Sequence, residues 1–594
     1  MSRSDCRSGS LFLWIKLAAM KLVLFTTPPK LLVWVCFGAM LPLACKKDFL
    51  DRQPYGGNTE NILCENLTGA DQVLIGAYSA LDGFTGWDKG VPWGSAASNW
   101  LFGSVAGADA HAGSDAGDQP PTVSFEVHRL TPYNEYVAAK WSVLYDAIHR
   151  CNDAILCFQH IGSSNGLQAT RLGEARFLRG HFHFEAKKIW NRVPYIDETV
   201  ADYRIPNDRD IWPDIEADLK AASESLPWTQ PEIGRATKGA ALALLGKAYL
   251  FQQKYAEAKA AFDAVIQSGQ YQLTPSYHEN FNAATRHNPE AVFVVQQAVN
   301  EGSDGENGNI GDVLNFPYGG TSGVCCGFHQ PTQNLVNAFR TDANGLPFLD
   351  TYNEVDVKND DGLESTDPFE PESGTLDPRL DWTVGRRGIP YLDWGAHPGK
   401  SWIRNQAFGG PYSPKKNVFY RSQEGIYSNK TGWAKTFSAQ TIKLIRYADV
   451  LLMAAECEVA LGQLEQARSH VNAVRQRAAN PAGWVRDSTG KPAANYLVRE
   501  YNAPFPNAAV ALKAVRHERR IELGMEGHRF FDLVRWGVAA EEKLRHFEVA
   551  KKKRTFLNWA QFTAGKDEYA PIPQRIIDRS WKNNAPTLRQ NPGY

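Results

Sequence analysis

The segment GRATKGAALALLGKAYLFQQKYAEAKAAFDAVIQSGQYQL, residues 234–273, constrains the fold more than any other stretch. Leu242, Leu245 and Tyr249 recur at helical spacing, Gln253–Lys254 reads as a turn, and Ala258 and Phe262 then fall on the inner face of a second helix. Gly246 has no side chain, so a neighbouring helix can approach closely there. A helix pair of this kind cannot bury its apolar face alone, so the sequence demands neighbours of the same build.

The spacing L-G-x-x-Y followed by A-x-x-x-F matches the tetratricopeptide pattern at five positions across the two helices. A weaker copy follows at 451–478, where Leu451, Leu464, Ala467 and Val471 stand for Leu242, Tyr255, Ala258 and Phe262. Two single copies so far apart are not expected to stack as one simple solenoid. They are expected to pack with other helix pairs, and residues 68–82, 135–160, 166–190 and 209–226 are the candidates. Within TRLGEARFLRGHFHFEAKKIW, for example, Leu172, Ala175, Leu178, Phe182 and Ala186 keep helical spacing. The expected fold is mainly α: a tetratricopeptide-like scaffold with a loop-rich, irregular ligand-facing region and few short strands.

The texture changes in two places. Residues 83–134 and 300–440 are rich in Gly, Pro, Asn and Asp, and loops of that length inside a domain are usually functional. Aromatic residues gather there: Trp87, Trp93, Trp100 and Phe102 in the first, then Tyr391, Trp394, Trp402, Tyr412, Tyr420 and Tyr427 in the second. A flat ring on a loop offers an apolar face to the C–H side of a sugar and loses little rotamer entropy on binding. The competing expectation is that these rings fill small cores under the loops.

The N-terminus reads as a targeting signal. Lys30 precedes LLVWVCFGAMLPLA, an apolar run of signal-peptide length, and MKLVLFTTPPK from Met20 makes a better basic region than the segment upstream. Residues 1–44 carry +4 against −1 for the whole chain, so the remainder carries −5, which argues against a nucleic-acid binder. Beyond Cys45 the cysteines are Cys64, Cys151, Cys157, Cys325, Cys326 and Cys457. They lack paired C-x-x-C spacing, which argues against zinc, and buried or free thiols are the plain expectation.

Catalytic motifs are mostly rejected. Gly234 to Gly239 has phosphate-loop spacing, but Ala240 stands where the lysine belongs. HERRI (517–521) begins like a zinc-protease helix and ends in Ile521. The string GSSNG (162–166) has G-x-S-x-G spacing, but it falls between two expected helices rather than after a strand, so it is not read as a nucleophile elbow. Carboxylates are abundant, and none stands out by context as half of a glycosidase pair. Asp109, Asp115 and Asp118 form a weak calcium candidate without EF-hand spacing. A charged helix is expected over 511–536. Its arginines suggest either an anion site or, as the stronger expectation, an ion-pair network that locks the helix to the bundle.

Several stretches, in order, resemble one family. They are CKKDFLDRQP from Cys45, NWLFGSVAGADA (99–110), KWSVLYDAIHRCNDAI (140–155), EARFLRGHFHFEAKKIWNRVPYI, the repeat at 234–273, DPRLDWTVGRRGIPY (377–391), LIRYADVLLMAAE, RHERRIELGMEGHRFFDLVRWG and YAPIPQRIIDRSWKNNAPTLRQNPGY. Together they resemble the SusD/RagB outer-membrane nutrient-binding lipoproteins of Bacteroidetes. The resemblance implies a non-catalytic, outward-facing surface protein, lipid-anchored through Cys45 and palmitate. It would capture glycan, or peptide in some members, for a SusC-like TonB-dependent transporter. It further implies four tetratricopeptide-like units and a variable ligand face, with Trp93, Asn99, Trp100, Trp382 and Trp394 as site candidates. Pro42 and Leu43 depart from the usual lipobox, in which Leu stands three before the cysteine and a small residue two before. The expected division is a signal peptide at 1–44, an N-terminal helical region at 45–230, a repeat unit at 231–300, a loop-rich insertion at 301–440 and a C-terminal helical region at 441–594. A secreted glycosidase and a scaffold for protein partners are the alternatives from other classes.

Overall fold

The computed structural model describes residues 63–86, 91–162, 166–303, 305–321, 326–429 and 435–594. The signal segment, Met20, Cys45, Trp87 and Cys325 lie outside them. Among the described residues, no helix is long and apolar enough to cross a membrane.

Helices dominate. In chain order the scaffold uses α1 (Leu67–Ser79), α2 (Glu135–Ile161), α3 (Gly166–Trp190), α4 (Trp212–Ser225), α5 (Lys238–Phe251), α6 (Tyr255–Gln267), α7 (Tyr447–Ala460), α8 (Leu464–Ala479), α9 (Ala508–Leu523), α10 (Arg529–Arg535) and α11 (Ala539–Ala550). Local chemistry starts them where the sequence supplies a side-chain acceptor. The Asn134 amide oxygen accepts from the N–H groups of Tyr136 and Val137, Thr237 caps α5 and Asn507 caps α9. Each helix from α1 to α8 packs on the next in sequence. The glycine in the repeat does what its place implies: a Cβ on Gly246 would lie 2.6 Å from the Phe262 ring, so α5 and α6 meet at that point.

One expectation needs correcting here. The two repeat copies do lie side by side, because α6 packs on α7. Strand β2 (Ala291–Val295), soon after α6, pairs antiparallel with β4 (Ile442–Arg446), which runs straight into α7. The Tyr447 N–H then donates to the Glu290 carbonyl at 2.8 Å. This short ladder closes the base of the segment 296–441, so α7 resumes the stack where α6 left it.

The charged segment 511–536 also differs from expectation. It is two helices, α9 and α10, broken at Gly524–His528. Met525 and Gly527 take positive φ (67° and 77°), and a Cβ on Gly527 would lie 1.9 Å from the Ser98 carbonyl oxygen. The chain turns there because another loop's backbone occupies the space a continuous helix would need.

Ion pairs lock α9 and α10 to the bundle. Arg519 pairs with Asp449 of α7 and with Asp532 of α10 (2.7 Å). Around Glu522, the acids Glu290, Asp377, Glu518, Glu522 and Glu526 face Arg379, Lys416, Arg446, Arg475 and Arg477, all buried or nearly so. Five charges of each sign balance, which is what makes such burial tolerable. Burial alone would raise the Glu522 carboxyl, but Arg477, Arg446 and Arg379 outweigh it and hold it well below the usual carboxylate range.

Cysteine pairing is a further correction. Cys64, just before α1, and Cys157 in α2 have Cα atoms 4.6 Å apart and form a disulfide across 93 residues. Cys326 is also disulfide-bonded. Cys151 and Cys457 are buried free thiols, as expected for the group.

Candidate ligand-binding face

Strand β1 (Ala110–Gly113) in the first loop region pairs antiparallel with β3 (Phe328–Pro331) in the second. The two loop regions, far apart in sequence, therefore meet along one ladder. At its end the Ser114 N–H donates to the Gly327 carbonyl at 2.5 Å.

Five side chains, Ser114, Asp115, Asp118, Tyr318 and Arg404, converge beside that junction. Arg404 donates through Nε to Asp115 (2.8 Å) and through Nη1 to Ser114 Oγ (2.9 Å) and Asp118. The guanidinium carbon lies 5.4 Å from the centre of the Tyr318 ring. The Tyr318 N–H donates to the Trp402 carbonyl at 3.1 Å, and the residue is 38% exposed. Gly319 takes a positive φ (65°), and a Cβ on Gly320 would lie 2.6 Å from the Trp402 indole. This Gly–Gly turn packs against one tryptophan and leaves the tyrosine facing outward. An exposed ring beside paired guanidinium and carboxylate groups can stack on a sugar and hydrogen-bond its hydroxyls.

The candidates chosen from sequence are placed differently. Trp100 is 1% exposed, with its Nε1 donating to the Trp93 carbonyl (3.1 Å). Asn99 is buried too, and its amide donates to Glu185 at 2.9 Å. These two are core residues, enclosed because their backbone lies under the α9–α10 turn. Trp93 is half-buried and its indole N–H faces Gln119 (3.2 Å) and the Tyr136 hydroxyl (3.1 Å). Trp382 stacks on His278 at 4.2 Å and donates to the Gly483 carbonyl (2.7 Å). Trp394 donates to the Phe419 carbonyl (2.9 Å) and packs with Phe316, Tyr391 and Val418. Trp93 and Trp100 share one packing cluster, while Trp382 and Trp394 lie in two others, so the candidates form no common platform.

The calcium candidate is also dispersed. Asp109 is buried against Arg520 (3.0 Å), while Asp115 and Asp118 face Arg404. Their charges are met by arginines. Among the described residues, no group of three or more His, Cys, Asp or Glu side chains is placed to hold a metal ion.

A second concave surface lies elsewhere. A groove of about 550 Å³ runs between α2 and the C-terminal tail, walled by Tyr145, Tyr203, Arg575 and Arg579. The Tyr203 hydroxyl already faces His149 Nδ1 at 3.1 Å.

Comparison with known proteins places this architecture. Residues 289–594 match the SusD family, and residues 48–250 match a family described as starch-binding associating with outer membrane. A SusD-like protein, P25, of Formosa agariphila is 22% identical over 85% of this chain and 88% of its own length. Among solved structures, a laminarin-binding SusD-like protein superposes with a TM-score of 0.62 at 23% identity, over 89% of this chain and 100% of that one. Surface glycan-binding protein A from Bacteroides thetaiotaomicron, in complex with laminarihexaose, gives a TM-score of 0.63 at 19% identity, over 88% of this chain and 98% of that one. With the family match covering more than half of the sequence and the helical stack the same, the chain belongs to the SusD family.

Proposed function

We propose that this protein is a non-catalytic surface lipoprotein of the outer membrane that captures an oligo- or polysaccharide and delivers it to a SusC-like TonB-dependent transporter. The observation that carries the reading is the exposed Tyr318 ring beside Arg404, Asp115 and Asp118, at the junction of the two loop regions on a SusD-family scaffold. The laminarin-binding relative and the relative in complex with laminarihexaose support glycan as the ligand class. The family description naming the outer membrane supports the location. Stacking on the ring would set affinity, and the arginine and carboxylates would set orientation.

The anchor is Cys45. Cleavage before it would leave an acylated cysteine, and two or more chains give the stable anchoring that one does not. Palmitate labelling of the wild type, lost in Cys45→Ala, is the expected result; label retained by the mutant contradicts the anchor. Co-purification of the wild type with a large β-barrel tests the transporter, and loss of glycan uptake on deletion tests delivery. Sugar release by the purified chain, abolished by a single Asp or Glu change, would instead favour a glycosidase.

A further inference from the structure

A cavity of about 320 Å³ opens between α9, α10, α11 and the segment around Tyr352. Its lining carries Lys513, Arg516, Arg520, Arg529 and Arg545 against Asp350, Glu541 and Glu542, and most of the positive charge is already spoken for. Lys513 pairs with Asp350 (2.6 Å) and Arg545 with Glu542 (2.8 Å). Arg520 is held by Asp109 and by the Tyr352 hydroxyl (2.7 Å).

Two guanidinium groups remain. Among the described residues, Arg516 makes no hydrogen bond or ion pair; its contact is the Trp536 ring, 4.6 Å away. Arg529 has only a long contact to Glu542 (3.4 Å), and its buried Nε has no partner. A guanidinium presents five N–H donors, so two such groups on one cavity leave a large unmet donor capacity. Burial pushes both below the ordinary arginine range, Arg516 most by desolvation, and Arg529 by desolvation and then by Arg520 beside it. Structural arginines elsewhere in the protein behave otherwise: Arg379, Arg446 and Arg519 each hold two or more carboxylates.

We infer that this cavity is an anion-binding site in which Arg516 and Arg529 clamp an oxyanion, a carboxylate or sulfate group, with Trp536 as its apolar wall. The volume exceeds what a free sulfate fills and suits a group of monosaccharide size. The oxyanion can thus be free or carried on an acidic sugar. The site is remote in sequence from Tyr318 and stands whether or not the Tyr318 face binds glycan.

The test is calorimetric titration of the mature chain with sodium glucuronate, sodium sulfate, glucose and sodium chloride at matched ionic strength. Binding of glucuronate or sulfate over chloride and glucose is expected, and tighter glucuronate assigns the sugar-borne source while tighter sulfate assigns the free anion. Arg516→Met and Arg529→Met should each weaken it at least tenfold. Glu542→Gln, which removes the carboxylate facing Arg529, should tighten binding about threefold and keeps the test decisive if an arginine variant fails to fold. Equal heats for glucose and glucuronate with no heat from sulfate, no preference over chloride, or undiminished affinity in a folded Arg516→Met overturns the site.

Discussion

Arg446, the last residue of β4, pairs with Glu290, just before β2, at 2.7 Å, with both side chains essentially shut off from solvent. The pair sits where the segment 296–441 leaves and rejoins the helical stack. Removing Glu290 leaves four buried acids against five buried cations in a low-dielectric interior. Glu290→Gln should therefore cost about 3–5 kcal/mol in a denaturation experiment. A loss below about 1 kcal/mol would show that the pair does not hold the ladder closed.

Gly527 is the second mechanical point. Its Cβ position lies 1.9 Å from the Ser98 oxygen, and a Cβ on Gly103 would lie 1.8 Å from the Gly527 oxygen. Backbone meets backbone on both sides, so neither can yield cheaply. Gly527→Ala is expected to lower the thermal midpoint strongly, combining this clash with a positive φ that only glycine adopts freely. An unchanged midpoint contradicts the tight α9–α10 turn.

Acid should destabilise the fold. Burial lowers His183, His278, His329, His397, His517 and His528 to about 3 and His181 to about 4. The unfolded chain takes up these protons near the ordinary value of about 6.5, and the folded chain does not. Stability is thus full above about 6.5 and falls as pH drops toward the folded values, by at most about 1.4 kcal/mol per pH unit for each histidine. Thermal midpoints at pH 7.5, 6 and 5 should fall in that order; a flat profile contradicts the burial of these rings.

The Cys64–Cys157 link closes a loop of 93 residues. Cys64→Ser is expected to cost about 2–4 kcal/mol of stability. Thiol titration of the denatured, unreduced protein should find neither cysteine free in the wild type. Free thiol at Cys64 would remove the link and the prediction together.

Much of the scaffold was legible because its signals are local. Apolar residues at helical spacing and caps such as Asn134 and Thr237 mark the helices directly. The stacking of α6 on α7 was not, because β2 and β4 are five-residue strands with no turn between them to announce the pairing. The proposed ligand face was not legible, for a physical reason. The largest aromatic rings gain most from leaving water, so Trp100 went into the core and Trp382 and Trp394 went under the loops. The smaller ring of Tyr318 stayed out, and its signal was the Gly319–Gly320 turn that follows it. Arg404 had no signal at all, since its partners Asp115 and Asp118 come from the other loop region.

The central claim is that the Tyr318 face captures glycan. It is tested most directly by screening the purified mature chain against a panel of oligo- and polysaccharides, beside Tyr318→Ala and, as a control for the other groove, Tyr203→Ala. The account predicts that the wild type binds at least one glycan, that Tyr318→Ala weakens it at least tenfold, about 1.4 kcal/mol, with an unchanged thermal midpoint, and that Tyr203→Ala leaves it intact. Glycan binding undiminished in Tyr318→Ala, or lost only in Tyr203→Ala, contradicts it.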